Sequence, residues 1–195
     1  GALNVVCCDN LPHNGRVVEA IVIAFAQARD RALADWIGRN VAFPSTMVDR
    51  IVPATTDADV ADVARQLGLS DAVPVVFEPF RQWVIEDRFA AARPAWEDDG
   101  AELVADVAPF ETMKLRLLNG SHSTLAYLGF LAGHVTIWEA SSDPPLATLI
   151  KRQMTEEIVP TLAAPPGTDL AAYCAQLVVR FRNPALPHRT QQIAM

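Results

Sequence analysis

Apolar residues in the first third of the chain change between strand-like and helix-like spacing. Residues 3–8 form a short β-branched run that ends in a turn rich in Asp, Asn and Pro. An amphipathic helical pattern follows from Arg16 to Gly38, with its apolar residues near one face. A second, shorter helix is predicted from Ala58 to Leu67. This order predicts an α/β region over residues 1–73.

The pattern changes over residues 74–195. Residues 74–77 read as a strand, and the alternation at 82–86 is typical of a further strand at the edge of a sheet. From Pro109 to Gly133 the apolar residues recur at helical spacing, with proline in the first turn. Further helices, separated by prolines, are predicted at about 145–159 and 169–182. The second part of the chain is therefore predicted to be mostly α-helical.

The composition is that of a folded protein and excludes several classes of partner. Hydrophobic residues make up 51% of the chain and charged residues 20%, which is typical of a globular protein. The net charge of -7 and the dispersed arginines argue against a nucleic-acid surface. No apolar run approaches the roughly 18 residues of a membrane span. The three cysteines have no zinc-site spacing, so we expect reduced thiols, no metal and a cytoplasmic location.

Three of the polar residues in the predicted helix from Pro109 to Gly133, Lys114, Asn119 and His122, are of types that can act together in catalysis. With Lys114 placed at 0°, an α-helix puts His122 at about 80° and Asn119 at about 140°, within one broad sector. A partly buried lysine can act as a general base near neutral pH, because burial lowers its pKa. A carboxamide can stabilise an oxyanion, and a neutral imidazole can orient a hydroxyl group. The trio suits the oxidation of an alcohol without a metal.

Each of these residues also has a purely structural interpretation. A single lysine on a helix commonly extends along the surface into solvent. Asn10, at the end of the first predicted strand, is placed to touch a ligand but can equally satisfy the turn and cap the following helix. Asp49 lies in an apolar segment beside Arg50, and pairing between these two side chains would satisfy its charge. The spacing alone leaves both interpretations open.

Several blocks of the chain resemble the polyol-specific long-chain dehydrogenases, the family of mannitol 2-dehydrogenase and fructuronate reductase. The block with the helical trio reads Met-Lys-Leu-Arg-Leu-Leu-Asn-Gly-Ser-His-Ser from Met113 to Ser123. Similar blocks occur in the family's order along the chain, and they lie at 8–12, 43–51, 78–87 and 180–186. The resemblance implies a zinc-independent, NAD- or NADP-dependent enzyme. It implies an α/β part of a Rossmann-type domain at 1–73 and a mostly helical C-terminal domain at 74–195.

The resemblance also implies roles for individual residues. Lys114 would be the general base, and Asn10 and Asn119 would hold the reacting oxygen. His122 would bind and orient the substrate, and Asp49 would contact the polyol chain, which replaces its purely structural interpretation. The residues that bind the cofactor are unknown, because the family's glycine-rich turn lies outside this chain. We therefore expect a piece of a longer polypeptide that by itself neither binds NAD nor turns over substrate.

The substrate implied by the resemblance is a small polyol that is interconverted with its ketose. The block from Pro187 to Met195 looks closer to the fructuronate and mannonate enzymes, so a sugar acid is the second candidate. A third candidate is a helical interaction module that keeps the fold without catalysis. The choice between NAD and NADP and the oligomeric state cannot be read from these residues.

Overall fold

Short strands and helices alternate along the first part of the chain in the computed structural model, which describes residues 1–194. Contacts divide the chain into two units, each made of two segments. The first unit comprises Gly1–Asp49 and Arg81–Thr112, and the second comprises Arg50–Phe80 and Met113–Met195. The boundary predicted between residues 73 and 74 stays a prediction. It marks a change in the sequence pattern, whereas the two units are defined by contacts in space.

The first unit contains two small sheets. Its elements are β1 (Leu3–Asn4), α1 (Asn14–Arg29), α2 (Arg31–Asn40), β2 (Val41–Ala42), β3 (Thr46–Asp49), β4 (Gln82–Glu86), a 3₁₀ turn (Trp96–Asp99) and β5 (Glu102–Val104). β1 pairs in parallel with β2, and β4 pairs antiparallel with β3 and parallel with β5. Four buried apolar residues form the core of this unit: Met47, Val84, Val107 and Phe110.

The second unit is helical. Its elements are α3 (Asp57–Leu67), a π segment (Lys114–Asn119), α5 (Gly120–Leu131), α6 (Ile137–Ser142), α7 (Pro144–Arg152), a second π segment (Gln153–Ile158), a 3₁₀ turn (Val159–Thr161), α8 (Leu170–Phe181) and α9 (Thr190–Ala194). The short helix α4 (Ala108–Met113) directly precedes the first π segment. The core includes Leu117, Leu125, Met154 and Leu177, whose side chains are buried. The predicted long helix is therefore helical from Ala108 to Leu131, although not α-helical throughout.

Local signals explain where several helices begin and end. Thr56 caps α3 in a capping box with Asp59, and Gly68 ends this helix with a φ of 67°. The helix predicted from Arg16 to Gly38 is instead two helices. Asp30 is extended and its carboxylate accepts hydrogen bonds from the N–H groups of Ala32 and Leu33. This N-cap restarts the helix and breaks the predicted one.

The apolar face predicted for that helix is not buried. Ile21 is 62% exposed and Phe25 is 69% exposed, and Leu33 and Trp36 are also exposed. The amphipathic pattern was real, but no described part of the chain covers these side chains.

Three strand predictions were wrong in extent or position. The run at 3–8 forms ladder pairs only at Leu3 and Asn4, and residues 74–77 form no strand. At Cys7 the carbonyl group accepts side-chain hydrogen bonds from Asn14 and Thr46, so it is not available to a ladder. β4 was predicted at an edge but is central, because β5 adds a third strand that a short, partly polar run did not reveal.

Close packing between α5 and α6 depends on Gly129. A Cβ atom at this position would lie 2.6 Å from the Cβ of Ala140, whereas one at Gly120 would meet only the Leu115 carbonyl oxygen at 3.8 Å. We expect Gly129→Ala to lower the free energy of unfolding by about 1–3 kcal/mol through overpacking. Gly120→Ala, the matched control, is expected to leave it unchanged or raise it by up to about 1 kcal/mol. Urea unfolding of both variants checks this, and equal effects would contradict it.

Candidate active site

The first π segment places Lys114 and Asn119 on the same face. Its hydrogen bonds run from residue i+5 to residue i, and the Gly120 N–H donates to the Leu115 carbonyl in this way. In such a turn residues five apart lie closer in direction than in an α-helix, so the backbone directs Lys114 and Asn119 to one side instead of about 140° apart. Leu117 and Leu118 of the same segment are buried and fix it to the core. π segments of this kind frequently occur at functional sites.

Neighbouring helices support this turn. The second π segment packs against the first. The Gln153 side-chain amide donates to the Thr124 hydroxyl at 3.1 Å. The Arg116 guanidinium donates to the carbonyl and hydroxyl groups of Thr161 at 3.3 and 3.2 Å. These contacts hold the turn in place. Lys114, which is half-buried, and Asn119, which is exposed, extend from it.

His122 lies one turn further along, among aromatic rings. Its ring stacks on Phe181 with centroids 5.3 Å apart, and the ring of His188 meets it edge-on at 4.9 Å. Burial, reinforced by the proximity of His188 and Arg180, lowers the pKa of His122 to about 3. Burial also lowers the pKa of His188. At neutral pH His122 is therefore uncharged and suited to orienting a hydroxyl group.

Asn10 and Asp49 belong to the first unit, whereas Lys114, Asn119 and His122 belong to the second. Asn10 is exposed in the turn after β1, and its backbone N–H donates to the Asp9 carboxylate at 2.8 Å. Asp49 is the last residue of β3 and only 3% exposed. The neighbouring Arg50 donates to the Phe80 carbonyl at 3.0 Å and lies over the ring of Phe77.

Asn14 is a positioning residue that the sequence did not reveal. Its side chain is fully buried and binds both the backbone N–H of Thr46, at 2.8 Å, and the Thr46 carbonyl, at 3.1 Å. The same amide donates to the carbonyl groups of Cys7 and Asp9. It thereby ties the turn that carries Asn10 to the strand that ends at Asp49. In the sequence, Asn14 precedes a glycine and reads as an ordinary turn residue.

A buried ion pair in the second unit was also missed. The Arg180 guanidinium donates to the Glu78 carboxylate at 2.7 Å, and their side chains are 4% and 2% exposed. The Glu78 carboxylate also accepts the backbone N–H of Ile51 at 2.7 Å, and the guanidinium lies over the ring of Phe80. The partners are 102 residues apart in the sequence, so no local sequence pattern predicts that they pair.

The described residues offer no phosphate or metal site of a familiar kind. The chain contains no G-x-G-x-x-G turn. At the start of α1 the His13 N–H donates to the Glu111 carboxylate at 2.9 Å, and a carboxylate there opposes a second anion. Among residues 1–194 no group of three metal-ligating side chains is found, and no helix is long and apolar enough to cross a membrane.

The low pKa of His122 makes the stability of the chain depend on pH. Below pH 6.5 the unfolded chain binds a proton at this histidine, whereas the folded chain binds it only near pH 3. We therefore expect His122 to lower the free energy of unfolding by about 1.4 kcal/mol for each pH unit of acidification through that window, and its contribution to level off above pH 6.5. Urea titrations from pH 8 to pH 4 measure this slope.

His122→Phe is the matched variant for that titration, because it keeps a ring against Phe181 but cannot bind a proton. Its slope between pH 6.5 and pH 4 should be smaller by about 1.4 kcal/mol per pH unit, while His188 continues to contribute in the same direction. Identical slopes in the two proteins would contradict the assignment.

Comparison with known proteins gives the family. The Mannitol dehydrogenase Rossmann domain matches residues 1–98, and the Mannitol dehydrogenase C-terminal domain matches residues 106–195. The D-mannonate oxidoreductase of Escherichia coli (strain K12) is 54% identical over 194 residues, which are 100% of this chain and 40% of that protein.

Two solved structures agree with this result. Mannitol 2-dehydrogenase of Pseudomonas fluorescens, in a ternary complex with NAD and D-mannitol, is 45% identical with a TM-score of 0.85, covering 97% of this chain and 39% of its own. A D-sorbitol dehydrogenase in substrate-free form is 40% identical with a TM-score of 0.91, covering 98% of this chain and 40% of its own.

The chain thus spans about 40% of the length of these relatives. The matches confirm the predicted fold class, an α/β portion of a Rossmann-type domain followed by a mostly helical C-terminal domain. They also confirm the family on which the sequence blocks converge: the chain belongs to the mannitol dehydrogenase family.

Proposed function

We propose that this chain supplies the proton-accepting and substrate-orienting part of an NAD- or NADP-dependent oxidoreductase that acts on a secondary alcohol of a polyol. One observation carries the proposal. Lys114 and Asn119 share a face of a π segment within the region that matches the Mannitol dehydrogenase C-terminal domain. The NAD and D-mannitol of the Pseudomonas fluorescens ternary complex support both the cofactor and the substrate class.

The proposed roles are those that the family resemblance implies, and the chemistry of the side chains suits them. In the oxidative direction the neutral amine of Lys114 accepts the hydroxyl proton as the C–H bond breaks. The amides of Asn10 and Asn119 donate hydrogen bonds to the oxygen as it gains negative charge. His122, uncharged at neutral pH, orients the hydroxyl group, and Asp49 accepts a hydrogen bond from the polyol chain. A bound nicotinamide supplies the hydride acceptor.

A sugar acid is the second candidate substrate, and its support is specific. The D-mannonate oxidoreductase of Escherichia coli is 54% identical to this chain, against 45% for the mannitol 2-dehydrogenase of known structure. A sugar acid requires a cation for its carboxylate. Arg180 does not suit this role, because its charge is already paired with the buried carboxylate of Glu78.

Chimeras test the proposal directly. This chain would replace the aligned segment of the Escherichia coli D-mannonate oxidoreductase and, separately, of the Pseudomonas fluorescens mannitol 2-dehydrogenase. Each protein is assayed with mannitol, arabinitol, sorbitol, fructuronate and tagaturonate and with both cofactors. A preference for polyol or sugar acid that is the same in both hosts is a property of residues 1–195.

The same assays distinguish the enzyme hypothesis from the alternative, a helical interaction module without catalysis. The enzyme hypothesis requires NAD(P)-dependent turnover in at least one correctly folded host, and folded but inactive chimeras in both would overturn it. The 195-residue chain by itself is the negative control, since it lacks a glycine-rich cofactor turn. NADH-dependent ketose reduction by this chain alone would contradict that expectation. A cytoplasmic location and the absence of a nucleic-acid partner stay predictions.

A further inference from the structure

His122 and His188 face a common small cavity in the second unit. The cavity has a volume of about 10 Å³ and is lined by both imidazoles together with Arg180, Phe181 and apolar side chains. Nε2 of His122 and Nδ1 of His188 are both buried, and neither has a hydrogen-bond partner among the described protein groups. Two buried nitrogens without partners on one cavity require an explanation, since buried polar atoms are nearly always hydrogen-bonded.

The size and polarity of the cavity fit one water molecule. A single water needs roughly 10–15 Å³ of such space and two to four polar partners. The two imidazoles are uncharged at neutral pH, because burial lowers the pKa of both. Each ring therefore has one donor and one acceptor nitrogen, and a water can pair with either kind. An ion fits less well, because the charge of Arg180 is already paired with Glu78.

We propose that one water molecule bridges Nε2 of His122 and Nδ1 of His188, and that His188 is a positioning residue for His122. Phe181 holds the plane of the His122 ring by stacking, with an angle of 16° between the rings. The bridge selects, of the two orientations related by a 180° flip about the Cβ–Cγ bond, the one that keeps Nε2 at the cavity. Because Nε2 is buried, Nδ1 is the nitrogen through which His122 addresses a substrate hydroxyl. This last step rests on the proposed function, whereas the bridge itself does not.

Nuclear magnetic resonance of the ¹⁵N-labelled 195-residue chain at pH 7 tests the bridge without substrate or turnover. The wild-type chain should show both imidazoles neutral, His122 in one tautomer, and cross-peaks from both rings to a slowly exchanging water. Absence of a water cross-peak at either ring overturns the proposal, and this measurement needs no variant.

Two variants at position 188 separate the hydrogen bond from the packing. His188→Phe keeps an aromatic edge but has no ring nitrogen, and His122 should then lose its single tautomer and its water cross-peak. His188→Asn restores a polar atom near the Nδ1 position and should restore both signals. A His122 spectrum that is unchanged in a folded His188→Phe chain overturns the proposal, whatever the variant does to thermal stability.

The kinetic consequence is measured in whichever chimera is active. His188→Phe should lower kcat/KM about three- to tenfold, the scale of one lost hydrogen bond, and His188→Asn should recover it. If the spectra agree with the bridge but no chimera is active, the proposed function fails and the bridge stands. If a chimera is active but the wild-type chain shows no bound water, the bridge fails and the proposed function stands.

Discussion

Lys114→Ala in an active chimera is expected to lower kcat for alcohol oxidation by roughly 10²–10⁴, the range for the loss of a general base. The physical reason is that the variant has no amine at position 114 to accept the hydroxyl proton as the C–H bond breaks. Substrate affinity should change much less, because a proton acceptor contributes mainly in the transition state. Steady-state kinetics in the oxidative direction measure both quantities.

The chain offers a matched control for this variant. Lys151 is its only other lysine and lies exposed on α7. Lys151→Ala removes the same side-chain atoms, and it should leave kcat unchanged. Equal effects of the two substitutions would show that the loss is not specific to Lys114.

Chemical rescue distinguishes a proton acceptor from a structural lysine. Small primary amines added to the Lys114→Ala chimera should restore part of the rate, and the restored rate should rise with the basicity of the amine until steric size limits it. A lysine that only supports the fold would give no such dependence. A Lys114→Ala chimera that keeps its full activity would favour the non-catalytic interaction module.

Glu78→Gln is expected to lower the free energy of unfolding of the chain by about 3–5 kcal/mol. The side-chain amide of the variant still accepts the N–H of Ile51, but it removes the carboxylate charge that lies 2.7 Å from the buried guanidinium of Arg180. Because a domain is stable by only about 5–15 kcal/mol, this is a large part of the total. Urea unfolding followed by circular dichroism gives the measurement.

The double variant Glu78→Gln/Arg180→Met is the control for that experiment. It removes both charges, fills the space with an apolar side chain and keeps the acceptor for Ile51. Replacement of a whole buried pair is often neutral, so the double variant should recover most of the loss. A single variant that is unfolded in buffer agrees with the prediction only if the double variant folds. A loss below about 1 kcal/mol for Glu78→Gln would contradict it.

Interactions close in sequence were predictable because they depend on local chemistry. The capping box at Thr56, the positive φ at Gly68 and the helical stretch that begins near Pro109 follow from residues within one or two turns of each other. Asp30 shows the limit of such reasoning. It lies within a strong helical period, and its capping of α2 against continuation of α1 is a close competition between two local states.

The candidate site, too, was predictable only in part from the sequence. Lys114, Asn119 and His122 were singled out from the sequence because an α-helical period places these three side chains within one broad sector. An α-helical period places Lys114 and Asn119 about 140° apart within that sector, and the π segment makes this angle smaller. Nothing in the local sequence distinguishes this widened turn from a regular helix.

The sequence by itself determined the helical and strand-like regions, the polar trio and the family resemblance, because these depend on the identity and spacing of nearby residues. Only the tertiary structure decided the buried bonds of Asn14, the Glu78–Arg180 pair and the contact of His122 with His188. The members of these groups are separated by 32, 102 and some 66 residues along the chain. Their partners are chosen by which side chains the fold buries together, and a buried polar group must find a partner wherever that partner lies in the sequence.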